Sequence, residues 1–136
     1  MVTHYWLGSC SKQNFDIDRH RGFDIDGYSG RRKRWVQQVR RGDKVVEYVS
    51  KHGFAAIRIV VSEPFHDERI IWPPKNGEVW PWRFMTQPEL VLSEGRFIPF
   101  ASLKSKLSIQ PLALRSFGEI TEEDFSAIES EMRKAK

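Results

Sequence analysis

The clearest strand signals are two mostly apolar stretches, Val45-Val46-Glu47-Tyr48-Val49 and Phe54-Ala55-Ala56-Ile57-Arg58-Ile59-Val60-Val61, each broken by one charged position. Both are rich in β-branched residues, and Ser50-Lys51-His52-Gly53 lies between them as a turn, so they are expected to pair as an antiparallel hairpin. An earlier strand is expected at Thr3-His4-Tyr5-Trp6-Leu7, closed by Gly8-Ser9. Val79 to Thr86 reads as a further strand with Pro81 placing its first half at a sheet edge, and Glu89 to Leu92 as a short one.

Helical spacing marks other segments. Trp35, Val36 and Val39 predict one apolar face on a helix over Arg31 to Arg40, stopped by Arg41-Gly42-Asp43. Phe97 to Leu107 carries Leu103 and Leu107 at i and i+4. The last helix is the best specified: Thr121 caps it, Asp124 stands three residues on, Ile120 staples to Phe125, and Phe125, Ile128 and Met132 form its buried stripe. A single helical turn is expected near Asn14-Phe15. Asp16 to Gly30, with four aspartates and little periodicity, is expected to be a loop, and the proline-rich run Ile71 to Gly77 a rigid one. About five or six mostly antiparallel strands with short helices around them make an α+β chain, and that many strands in so few residues favour a closed or half-closed barrel.

Length and charge then narrow the function. The chain has 136 residues, enough for one domain, expected to span 1–136. Its net charge of +4 hides an asymmetry: residues 1–118 hold 19 basic and 12 acidic residues, whereas 119–136 hold 3 and 6. Arg31, Arg32, Lys33, Arg34, Arg40 and Arg41 form a cluster without an acid among them, suited to neutralising phosphates. A solvated basic helix is the plainer reading of the same run. Aromatic residues are 12% of the chain and include five tryptophans, and flat rings are what stack on unpaired bases. Cys10 is the lone cysteine and the four histidines are scattered, which argues against a disulfide and against zinc. No membrane span or leader is visible, so a cytoplasmic protein is expected, without cofactor. The oligomeric state stays open.

A series of landmarks runs through the chain in order: Tyr5-Trp6, Asn14-Phe15, Arg41-Gly42-Asp43-Lys44-Val45-Val46-Glu47-Tyr48, Ser62-Glu63-Pro64-Phe65-His66-Asp67, Ile71-Trp72-Pro73, Trp80-Pro81-Trp82-Arg83 and Phe117-Gly118-Glu119-Ile120-Thr121. Together they resemble the EVE domain of the PUA-like superfamily, which also contains the YTH domain. The resemblance implies a PUA-like pseudo-barrel that binds nucleic acid, DNA or RNA, and holds a modified base in a pocket. YTH relatives enclose N6-methyladenosine in an aromatic cage, and EVE domains are thought to treat modified cytosine or adenine alike. Unstacking a base costs a few kcal/mol, which stacking on aromatic rings at roughly 1–3 kcal/mol per base can offset.

Carried over by position, the resemblance places Ser9, Cys10, Ser11, Asn14, Asp26, Gly27, Tyr28 and Trp72 around the pocket. The polar residues would bond base edges and Trp72 would stack. Ser9 and Asn14 equally suit turn-capping roles, and Trp72 equally suits closure of the barrel end. One departure stands out, since related members often carry tryptophan where this chain has Asp26. Either Tyr28 or Trp35 replaces that wall, or a carboxylate there accepts from an exocyclic amine. Two other functions compete. Asp16, Asp18, Asp24 and Asp26 could hold magnesium in a nuclease-like enzyme, and the edge near Pro81 could serve a protein-interaction module.

Overall fold

A computed structural model describes residues 2–110, 114 and 117–136. Its elements are β1 (Tyr5–Cys10), α1 (Lys12–His20), β2 (Ile25–Tyr28), a 3-10 turn (Gly30–Arg32) leading into α2 (Lys33–Val36), β3 (Lys44–Val49), β4 (Gly53–Val60), β5 (Phe65–His66), β6 (Trp82–Val91), α3 (Phe100–Leu103), β7 (Phe117–Ile120) and α4 (Glu122–Ala135). The strands form one sheet in the order β2-β6-β4-β3-β1-β7, with β5 added beside β6. Every pairing is antiparallel except β1 with β3.

The sheet curls until its ends meet through side chains. Tyr28 on β2 lies 4.3 Å, centroid to centroid, from Phe117 on β7. Gly8 on β1 permits this closure, because a Cβ there would overlap the Tyr28 hydroxyl. A half-barrel results, as the strand count predicts. Inside it, Trp6, Val45, Val60, Phe84 and Phe117 pack with Val36 and Val39, while Phe15 and Phe23 close the other end against Val49, Ala55 and Ala56. Outside it, α4 lays Phe125, Ile128 and Met132 on Leu7, Val46, Ile57 and Leu90. Burying three such side chains is worth roughly 1.5–3 kcal/mol each. The hairpin of β3 and β4 and the cap of α4 form as the pattern predicts: Thr121 Oγ1 accepts from Asp124 N at 3.1 Å.

Several elements differ from expectation, each for a physical reason. The segment 16–30 is not a loop: α1 runs on to His20 and β2 follows. Ser11 caps α1 by accepting from Asn14 N, and the helix is anchored by Phe15 and Asp18. One of those anchors is a charge whose partner, Arg58, lies 40 residues away, so no apolar stripe announces the helix. The helix expected over 31–40 ends at Val36. Asp43 accepts from Arg40 N at 2.9 Å and from the Trp6 indole at 3.0 Å, drawing the chain into a turn. The expected face also splits, with Val36 and Val39 buried and Trp35 exposed.

The two strands expected at 79–86 and 89–92 are one strand, β6. It continues through Pro88 because the register against β4 shifts there, leaving a bulge that tolerates the missing donor. The first half of β6 is not an edge, since β2 pairs on one side and β5 on the other. Pro81 lies just outside it, its carbonyl accepting from Asp67 N. β1 extends to Cys10, so Ser9 and Cys10 are strand residues. Of the helix expected over 97–107, α3 covers four residues and Lys104–Lys106 add a 3-10 turn. Ile98 instead bridges to Phe54.

Candidate functional site

Between the end of β1, the start of α1, β2 and the loop after β5 lies a cavity of about 820 Å³, within the range of small-molecule sites. The parallel pairing of β1 with β3 carries Ser9 and Cys10 to its rim, and the sharp entry into α1 adds Ser11 and Asn14. β2 supplies Asp26, Gly27 and Tyr28, and the 67–80 loop supplies Trp72 with Trp80. All eight residues named by the resemblance line this one cavity. So do Arg31 and Arg32, at the mouth.

Trp72 is held rather than mobile. It is 3% exposed, its indole nitrogen donates to Asp18 at 2.8 Å, and its ring stands at 86° to Trp80. Gly27 allows this, because a Cβ there would come within 2.8 Å of the Trp72 ring. The loop is stitched down from below by Arg83, fully buried, which donates to the carbonyls of Trp80, Val79 and Arg69. Trp72 is thus both part of the interior and part of the cavity wall, and Trp80 is the more open of the two rings.

A charged cluster lies beneath the cavity, which Asp18 and Asp26 of that cluster line. Asp18, Asp26 and Glu47 bring carboxyl oxygens within 4.8 Å of one another, all buried. Arg58 enters among them: Nη2 lies 2.8 Å from Asp18 and 2.5 Å from Glu47 Oε1, the latter a close contact without hydrogen-bond alignment. Nη1 donates to the Ile25 carbonyl. Three buried carboxyls around one guanidinium cannot all ionise. Burial pushes Glu47 up to about 8 against the pull of Arg58, and Asp18 up to about 6 by the same balance. Asp26 is also raised by burial, although Arg58 and the Tyr28 hydroxyl oppose the shift. Arg58 stays charged, because its three carboxyl neighbours outweigh the burial that opposes it. Cys10, 3.4 Å from Glu47 Oε2, is driven well above its ordinary value by burial and is no thiolate nucleophile.

Asp26 differs from the free acceptor expected of it. Oδ2 accepts from the Tyr28 hydroxyl at 2.7 Å and Oδ1 from Gly27 N at 3.0 Å. It therefore positions β2 and Tyr28, and Tyr28 itself is engaged with Asp26 and Phe117. Trp35 does not line the cavity and replaces no wall of it. The basic cluster also divides. Lys33 lies 4.9 Å over the Trp82 ring and Arg34 is exposed, whereas Arg40 donates to the carbonyls of Gln37 and Val39 and Arg41 to that of Val61. The four aspartates of the nuclease reading do not converge: Asp16 pairs with Lys12 and Asp24 with Arg21 on the surface. Only Asp18 and Asp26 reach the floor, where a guanidinium already stands between carboxylates.

Sequence reasoning missed Glu47, Arg58, Asp18 as a floor residue, and Trp80 as a wall. The signal for the first two was a single charge inside an otherwise apolar strand. A lone buried charge requires a partner, and here the partner is the cavity floor.

The curled half-barrel is also the fold of solved YTH domains. The sequence pattern of the EVE domain matches residues 4–131, and the chain belongs to that family. Among curated proteins no sequence match was found. Solved structures similar to it include a hypothetical protein from Leishmania major, with 18% identity, TM-score 0.73, and 99% and 98% of the two chains covered. The Pho92 YTH domain in complex with m6A is similar at 16% identity and TM-score 0.71, covering 96% of this chain and 84% of that one. Human THYN1 in complex with 5-methylcytosine-containing DNA is similar at 20% identity and TM-score 0.66, covering 95% and 98%.

Proposed function

We propose that this chain binds nucleic acid and reads a modified base, of the methylated cytosine or adenine type, in the cavity between β1, β2 and Trp72, without catalysing a reaction. One observation carries the reading: the cavity joins a polar rim and two crossed indoles to a mouth bearing Arg31 and Arg32. A planar ring with polar edges suits the first two, and the phosphates attached to it suit the third. The relatives in complex with m6A and with 5-methylcytosine-containing DNA support the ligand class. Asn14 is the residue best placed to discriminate edges, since among the described residues its side-chain amide has no partner and its backbone N–H is already taken by Ser11. The binding reading is favoured over a magnesium enzyme by the scatter of Asp16 and Asp24, and over an interaction module at Pro81 by the strands on either side of β6.

Calorimetric titration with 5-methyldeoxycytidine, N6-methyladenosine and their unmodified parents tests it. One modified nucleoside should bind at least several-fold tighter than its parent, and Asn14→Ala should narrow that gap. Equal or absent binding of all four, with oligonucleotides bound regardless of modification, would refute base reading in the cavity.

A further inference from the structure

Trp35 lies outside the buried clusters and outside the cavity lining. It is the most exposed of the five tryptophans, at 37%, whereas its neighbour Val36 is fully buried and anchors α2. Among the described residues it makes no aromatic pair and no cation-π contact. A tryptophan with more than a third of its surface open, in a run of cations, offers a flat aromatic surface that a ligand can cover.

Its setting indicates what binds. Arg31 and Arg32 lie in the 3-10 turn that leads into α2, and both line the cavity mouth. Trp35 follows them by four and three residues, so one short segment joins the cavity mouth to the exposed ring. Around the ring stand Arg31, Arg32, Lys33 and Arg34, and among the described residues none of the four has a carboxylate partner. Unpaired cations flanking a flat, exposed ring match the alternation of phosphate and base along a strand better than they match an acidic protein surface, which offers no regular rings.

We infer that Trp35 is a stacking platform for the nucleotide adjacent to the one held at the cavity, with Arg31 and Arg34 on the neighbouring phosphates, so that the ligand is locally single-stranded nucleic acid. This rests on the proposed function for the presence of a strand but not for what the cavity selects. Stacking needs an unpaired base, so a fully paired duplex does not satisfy Trp35 unless it opens there.

The test uses two labelled probes on the full chain, hexathymidylate and an abasic hexamer with the same sugar-phosphate backbone, read by fluorescence anisotropy. The native chain should favour the base-bearing probe by about tenfold. Trp35→Ala should lower that preference several-fold while leaving abasic binding unchanged, and Trp35→Phe should keep most of it. Arg31→Glu with Arg34→Glu should weaken both probes alike. A preference undiminished in Trp35→Ala, or missing in the native chain, overturns the inference, as does failure of both probes to bind. Free-nucleoside titration scores the cavity separately. Nucleoside binding without a Trp35-dependent preference keeps the cavity reading and sinks this one, and the reverse outcome does the opposite.

Discussion

The two faces of the curled sheet bury side chains equally well but in different chemistry. On the outer face, Val46 and Ile57 meet α4 in a cluster whose buried members are all apolar. On the inner face, the same two strands contribute Glu47 and Arg58, both with no exposure, to a charged floor shared with Asp18 and Asp26. Strand alternation assigns neighbouring residues to opposite faces, so one hairpin builds both. The outer face holds the sheet together through area removed from water. The inner face gives up some of that area to place polar groups under a cavity, where the gain is a fixed shape and a defined charge rather than stability.

The sharpest break of this contrast is Arg58→Met. It leaves Asp18, Asp26 and Glu47 without a cation, and should lower unfolding free energy by about 3–5 kcal/mol, measured by urea denaturation. Neutralising the floor in the same chain, with Asp18→Asn and Glu47→Gln, should return most of that loss. On the outer face, Ile128→Ala should cost about 2–5 kcal/mol through lost burial and the void left behind. Its loss should be independent of pH and should leave nucleoside titration unchanged wherever the variant is folded.

The next effect separates the faces by protons. Glu47 is pushed up to about 8 from 4.5, and Asp18 up to about 6 from 3.8, so the folded chain holds protons that the unfolded chain has released. That contribution is complete below the unfolded values and is lost as pH rises through the folded ones. Thermal stability should therefore fall between about pH 4 and pH 8. Glu47→Gln, which mimics the protonated acid, should flatten the limb above pH 6 and raise stability at neutral pH relative to the native chain, which must take up a proton to fold there. His4, whose value Glu119 raises, titrates in the same direction, and His4→Gln serves as the control. A limb unchanged in Glu47→Gln would place the titrating group elsewhere.

The smallest effect on stability belongs to the mouth. Arg32→Glu with Lys33→Glu should move unfolding free energy by no more than about 0.5 kcal/mol. The same pair should weaken all oligonucleotides together and lower the dependence of log affinity on log salt, as loss of phosphate contacts requires. Binding that loses sequence or modification preference instead would transfer these residues from the backbone to the base.

What could be read in advance follows the same division. The stripe Phe125, Ile128, Met132 and the apolar runs of β3 and β4 were legible because apolar patterning reports directly on burial against an apolar surface. The EVE landmarks placed the eight cavity residues because a family pattern preserves order along a chain. The charged floor escaped because Asp18 and Arg58 read as polar until they are seen to meet across 40 residues. α1 was lost with them, since half of its anchoring face is Asp18. Trp35 was assigned to an apolar face because spacing alone cannot tell which of two adjacent positions turns inward.

The place of β1 in the sheet has a consequence for synthesis. Its parallel partner, β3, is complete in the chain once residue 49 is made, but its other neighbour, β7, arrives only with residues 117–120. Until then the Tyr5–Gly8 edge has open backbone donors and acceptors, and Leu7 has no α4 to cover it. An interrupted or nicked chain lacking that last segment would keep most of the hairpin sheet yet expose a strand edge ready to pair with another molecule. β7 and α4 thus protect the sheet as they complete it, since they close over the β1 edge and over Leu7.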